Sequence, residues 1–167
     1  TAEMYPVNPI SAETVGRSEE IIGRWISVNK SRRSNFILAT KHSGKGLSHV
    51  RNGAPITKDT IQDAVEGSLK RLKTDYIDLY QFHWPNRGSY MFRQNWKYDP
   101  SKQDKKSTLE NMYECLITLQ AQVKKGNIRH FGLSNESAWG TANWLKLSEQ
   151  HNLPRVATIQ NEYSLLC

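Results

Sequence analysis

Long hydrophobic runs are missing from this chain. No apolar stretch approaches the roughly 18–20 residues that a membrane-crossing helix needs, so a spanning segment and a membrane partner are not expected. Thr1–Ile10 contains no basic segment followed by an apolar one, and no signal peptide is read there. Cysteine is scarce: Cys115 and Cys167 are the two in 167 residues, too far apart for a CxxC pair. Such thiols frame no metal site and no disulfide scaffold; they read as buried free thiols in a reducing, cytoplasmic setting. Also absent are a GxGxxG after a strand and a GxxxxGK[ST], the loops whose backbone amides cradle phosphate. That counts against a doubly wound dinucleotide-binding domain and against a P-loop enzyme. Acidic residues are outnumbered, 16 to 23 Lys and Arg, for a net charge of +7. A polyanionic partner would suit that excess. Yet the basic residues fall into small scattered groups such as Lys30-Ser31-Arg32-Arg33 and Lys70-Arg71-Leu72-Lys73, which solvated faces explain, so nucleic acid is not expected.

What is present suits one globular domain, with 37% hydrophobic and 23% charged residues over a length able to bury a core. Helical and strand-like patterns alternate. Ser18–Val28 carries Ile21, Ile22, Trp25 and Ile26 at helical spacing. Asn35–Lys41 is a short apolar run that reads as a strand buried on both faces. Thr57 caps a helix with the stripe Ile61, Ala64, Val65, Ser68, Leu69 and Leu72. Tyr76–His83 is a second strand, stopped by Trp84-Pro85. A long polar loop over residues 85–106 precedes an expected capping box at Ser107-Thr108-Leu109-Glu110, which opens a helix ending near Gly126. Ile128–Ser134 is the third strand, Ser137–His151 the last helix, and Arg155–Gln160 the fourth strand.

Strands alternating with helices mean parallel β/α units, either doubly wound or barrel. Without a phosphate-cradling loop the weight moves to the (β/α)8 barrel, of which about four of eight strands are present. The expectation is one partial barrel domain over residues 1–167, with earlier strands and the later part lying outside it. Barrel enzymes place functional groups at the carboxyl ends of their strands. Here those ends carry Lys41, His83, Ser134-Asn135 and Gln160-Asn161. Each has a plain structural reading alone: a strand-ending lysine, a satisfied core histidine, a helix-capping asparagine. Polar residues at four successive strand ends are harder to explain that way.

Five stretches carry a resemblance. Thr1-Ala2-Glu3-Met4-Tyr5, Ala39-Thr40-Lys41, the run from Ser68 to Pro85, the run from Gly126 to Asn135, and Ile159-Gln160-Asn161 together resemble the aldo-keto reductases over nearly the whole chain. Within that family the likeness is to the bacterial Tas-like branch, more distantly related to potassium-channel β-subunits. The resemblance implies an NADP(H)-dependent reductase of aldehydes or ketones. Tyr5 matches the acid that protonates the carbonyl oxygen, and Lys41 the lysine that favours its phenolate. His83 matches the residue that orients and polarises the carbonyl. Ser134, Asn135 and Gln160 match the groups that hydrogen-bond the nicotinamide carboxamide, and Trp84 the apolar wall of the substrate pocket. No metal is implied. The family also carries an aspartate five residues before the tyrosine, a position that falls just ahead of Thr1, and later loops that grip the cofactor's phosphates. A cofactor-binding regulatory or structural subunit on the same fold is the alternative.

Overall fold

Four helices and four strands alternate along residues 1–165, the part described by this computed structural model. The helices are α1 (Arg17–Val28), α2 (Lys58–Leu72), α3 (Lys105–Lys124) and α4 (Ala138–His151). The strands are β1 (Ala39–His42), β2 (Ile77–Phe82), β3 (Ile128–Ser134) and β4 (Val156–Gln160). Each strand runs parallel to the next in the order β1-β2-β3-β4. A doubly wound sheet would reverse its strand order at a switch point. An unpermuted order with one helix per crossover puts the helices on one face, as in consecutive units of a (β/α)8 barrel.

One core fills the space between sheet and helices. Tyr80, Phe82, Phe131 and Leu133 enter it from the strands, and Ile26, Ile61, Val65, Leu72, Met112, Leu116, Leu119 and Trp144 from the helices. The rings of Phe82, Phe131 and Trp144 meet edge-on or tilted, with centroids 5.0, 5.5 and 5.6 Å apart. Because strand side chains alternate, Lys41, Gln81, His83 and Ser134 belong to the face away from the helices. Gln81 and Thr158 lie over Gly132 there, leaving no room for a Cβ. At the amino end of the sheet, Asp78 accepts from Arg33 at 2.7 Å, Arg129 at 2.8 Å and the Leu38 amide at 3.0 Å.

Several boundaries differ from the sequence expectation. The first strand begins at Ala39, not Asn35, because Lys30–Asn35 coils into a 3₁₀ turn and leaves Ile37 79% exposed. Helix α3 starts before the expected Ser107 box: Asp104 takes the cap by accepting the Ser107 amide at 3.0 Å, so Ser107 is already the third helical residue. Thr57 does cap α2, and Thr60 completes the reciprocal bond to its backbone. Helix α1 buries Glu19, Gly23 and Ile26 while Ile21 and Trp25 stay exposed. Two contacts turn it that way. Glu19 is drawn inward by the Thr40 hydroxyl at 2.5 Å and Arg71 at 2.7 Å, and Gly23 lies against the backbone of Arg71 and Leu72. Cys115 is buried and free; Cys167 lies outside the described residues.

Residues 1–3 run beside β1. The Thr1 nitrogen donates to the Ala39 carbonyl at 2.9 Å and the Glu3 amide to the Lys41 carbonyl at 3.2 Å. Donors two residues apart meeting acceptors two residues apart are the spacing of a parallel ladder. The outer edge of β1 is therefore covered over its polar end.

Candidate active site

The polar residues expected at the strand ends come together at the carboxyl end of the sheet. Strands β1 and β2 pair Lys41 with Gln81 and His42 with Phe82. The His83 amide donates to the His42 carbonyl at 2.9 Å, extending the pairing one step past the strand. Lys41 is 6% exposed and its ammonium donates to the Thr1 carbonyl at 3.1 Å. Burial pushes its pKa below the usual lysine range. No carboxylate pairs with it among the described residues. The half-buried Tyr5 ring stands edge-on to the His83 imidazole, centroids 5.6 Å apart. Its backbone is fixed by a bond from its amide to Ala2 and another from the Ser18 amide to its carbonyl.

Burial, and after it the charge of Lys41, lowers the His83 pKa from 6.5 to about 4. The imidazole is therefore neutral at physiological pH. Its Nδ1 is buried without a hydrogen-bond partner among the described residues. An unmet buried polar atom is unfavourable by roughly 1–3 kcal/mol, so a polar group brought to it would be favoured.

The second half of the site is a hydrogen-bonded chain. Ser134 pairs with Gln160 in register, and its hydroxyl donates to the Gln160 carbonyl at 3.0 Å. The Asn135 amide nitrogen donates to the same oxygen at 3.0 Å. The Asn135 side-chain nitrogen donates to the His83 carbonyl at 2.8 Å and to the Ser134 hydroxyl at 3.1 Å. Asn135 sits at φ 52°, a left-handed conformation that asparagine tolerates better than most residues. It does not cap α4; Ser137 does, by accepting the Gly140 amide at 3.1 Å. Asn135 Oδ1 and the exposed Gln160 side-chain amide take no hydrogen bond among the described residues. One acceptor beside one donor-acceptor group fits a primary carboxamide such as that of a nicotinamide.

Trp84 leans on His83 with centroids 4.9 Å apart, meets Phe92 at 6.1 Å, and donates its indole N–H to the Lys45 carbonyl at 3.1 Å. It also lines a cleft of about 430 Å³ together with Ile56, Met112, Leu133 and Ser134. Tyr5, Lys41 and His83 do not line that cleft, which opens on the helix side of the strand ends. Trp84 thus stands between the two faces.

Buried charge around the site escaped the sequence reading. Glu3 and His42 are buried and linked through Arg51. Arg87 and Glu136 form a second buried ion pair, and Arg87 also donates to the Ser137 hydroxyl at 3.1 Å, tying the long loop after β2 to the turn after β3. Glu3 and Glu136 could have been noticed, since each sits within two residues of one already singled out, Tyr5 and Asn135. Arg51 and Arg87 lie in loops where no periodicity marks them.

Comparison with known proteins follows the same lines. The family model described as Aldo/keto reductase family matches residues 1–166. "Protein tas" of Escherichia coli (strain K12) is 40% identical over 168 aligned residues, covering 99% of this chain and 47% of that protein. "Aldo-keto reductase" of Babesia bovis is 42% identical over 143 residues, covering 80% of this chain and 49% of that protein. Among solved structures, the thermostable aldo-keto reductase Tm1743, in complex with the inhibitor epalrestat, superposes with a TM-score of 0.61 at 26% identity, over 89% of this chain and 41% of its own. The chain spans about half the length of the curated relatives it matches.

Proposed function

The chain belongs to the aldo/keto reductase family, and on that premise we propose that it holds the reducing centre of an NADP(H)-dependent oxidoreductase converting small aldehydes or ketones to alcohols. The observation that carries this reading is the convergence of Tyr5 and Lys41 on a neutral His83 with an unmet Nδ1. NADPH, when bound, supplies the hydride that the carbonyl carbon takes up. Ser134, Asn135 and Gln160 hold the carboxamide and so fix which ring face meets the substrate. His83, uncharged, orients the carbonyl by hydrogen bonding to its oxygen. The Tyr5 hydroxyl gives its proton to that oxygen as negative charge develops, and the phenolate left behind regains a proton from solvent. Lys41, the buried lysine whose charge is felt at His83, is assigned the part of favouring the negative oxygen that forms. Trp84 offers an apolar wall to the rest of the substrate. The same reading places the protein in the cytoplasm. A buried free Cys115 thiol suits such a reducing setting.

Tyr5→Phe tests it in the intact protein, because the ring and its contact with His83 remain while the transferable proton is lost. The kcat for reduction of 4-nitrobenzaldehyde should fall roughly 10²–10⁴-fold, with NADPH affinity by fluorescence titration unchanged. A near-normal kcat removes Tyr5 as the acid. Tight NADPH binding by wild type with no reduction of any aldehyde or ketone in a panel would favour a cofactor-binding regulatory subunit instead.

A further inference from the structure

Glu3 lies two residues before Tyr5, and its carboxylate is almost wholly buried. One oxygen accepts the Ser43 amide at 2.5 Å and Arg51 Nη2 at 2.7 Å; the other accepts Arg51 Nη1 at 2.5 Å. The Glu3 amide meanwhile donates to the Lys41 carbonyl at 3.2 Å. Glu3 is therefore bonded on both sides of the end of β1, to residue 41 through its backbone and to residue 43 through its side chain. Arg51 completes the frame. Its Nη2 also reaches His42 Nδ1 at 3.1 Å and the Ser43 carbonyl at 3.4 Å, and His42 Nε2 lies 3.2 Å from the Thr60 hydroxyl. The turn that presents Arg51 is left-handed over three residues, Arg51, Asn52 and Gly53, at φ 47°, 54° and 74°. Asparagine and glycine take this conformation readily, but for Arg51 it carries a cost that its bonds to Glu3 and Ser43 offset. Val50, from the same turn, packs with Ala2 and Met4 in a small core of its own.

We infer that Glu3 and Arg51 are a positioning pair that sets Tyr5 against Lys41 and His83. The inference rests on the proposed role of Tyr5 as the acid. Tyr5 has one ring partner among the described residues and otherwise rests on the small core of Ala2, Met4 and Val50, and Glu3 is the polar anchor of the segment that carries it onto β1. A planar fork of two N–H donors onto one carboxylate fixes both distance and orientation, which neither a glutamine nor a lysine reproduces. Proton transfer is steeply sensitive to such placement, with about 100-fold at stake for a misplacement on the order of 1 Å. A pair serving stability alone would leave that step untouched. Burial by itself would raise the Glu3 pKa, but the hydrogen bond and charge of Arg51, with the Ser43 amide, outweigh it and hold the carboxyl below its usual range. Glu3 is thus charged at working pH, alongside Arg51, Lys41 and the neutral His42 and His83.

Glu3→Gln, Arg51→Lys and, as control, Asp78→Asn test the inference in the intact protein with NADPH and 4-nitrobenzaldehyde. Asp78 is also a buried carboxylate between two arginines, but it lies at the amino end of the sheet. Glu3→Gln should lower kcat about 10- to 100-fold while NADPH affinity stays within about twofold, and should displace the alkaline limb of the kcat profile. Arg51→Lys, which keeps the charge on a partly exposed side chain, should do the same to a smaller degree, and it carries the test if Glu3→Gln does not fold. Asp78→Asn should shift the urea midpoint yet leave kcat and its pH profile in place. The ultraviolet titration of the Tyr5 phenolate, isolated by difference from Tyr5→Phe, should move in Glu3→Gln and not in Asp78→Asn. That readout needs no turnover, so an inactive wild type would sink the proposed reaction while the titration still judged the pair. Folded Glu3→Gln or Arg51→Lys with wild-type kcat and an unmoved phenolate titration overturns the inference, and so does an equal kcat loss in Asp78→Asn.

Discussion

Asn135 joins three strand ends, and removing its side chain should be felt in both stability and cofactor affinity. Its amide nitrogen donates to the His83 carbonyl at 2.8 Å and the Ser134 hydroxyl at 3.1 Å, and its backbone sits at φ 52°. Asn135→Ala deletes both bonds and leaves the partly buried His83 carbonyl short of a donor, a loss of roughly 1–2 kcal/mol. Alanine must also adopt the left-handed conformation, which adds about 1 kcal/mol. The expected destabilisation is therefore about 2–3 kcal/mol. Asn135→Gly deletes the same bonds but takes the backbone angle without strain, so about 1–2 kcal/mol should remain. Urea unfolding of the intact protein, with the slope of the transition unchanged, measures both. Cofactor affinity should fall in both variants by roughly 1–3 kcal/mol, since each lacks the Oδ1 acceptor assigned to the carboxamide. In a fluorescence titration that is roughly a 5- to 150-fold rise in Kd for NADPH. A glycine variant as unstable as the alanine one would refute the backbone contribution. Wild-type stability in both would refute the tie between strand ends, and unchanged affinity would take Asn135 out of the cofactor site.

Acid should destabilise the protein before its carboxylates titrate. His42 is fully buried, and desolvation above all lowers its pKa from 6.5 to about 4. Between those values the unfolded chain binds a proton that the folded one refuses, so stability falls as pH drops from 6.5 to 4, by up to roughly 3 kcal/mol for this group. His83 acts in the same sense, so His42→Asn should flatten the slope of urea midpoint against pH by about half; an unchanged slope contradicts the assignment. Gly23→Ala should lower the thermal midpoint: the added Cβ would stand 2.8 Å from the Leu72 carbonyl carbon and 3.0 Å from that of Arg71, forcing α1 away from α2. The expected cost is about 1–3 kcal/mol despite alanine's better helix propensity, and a stabilised variant would show that α1 does not rest on α2 there.

Much of this architecture is written locally. The Thr57 cap, the span of β3 and the stop of β2 at Trp84-Pro85 follow from spacing and turn chemistry among neighbours. The parallel order follows from the alternation of the two periods, and with it the gathering of Lys41, His83, Ser134 and Gln160 at one end of the sheet. Other features depend on partners far along the chain. Asp104 and Ser107 are both good cap residues, and only the path of the preceding loop decides that Asp104 is used. Helix α1 has an apolar stripe that includes Ile21 and Trp25, yet Glu19 faces inward because Thr40 and Arg71 wait for it there. Asn135 spends its amide on a carbonyl 52 residues away. Glu3 meets Arg51 across 48 residues. Periodicity records which face of an element is apolar, since that is fixed by residues three or four apart. Which buried charge finds which partner is fixed by the distance between strand ends, a quantity that exists only once the sheet has formed.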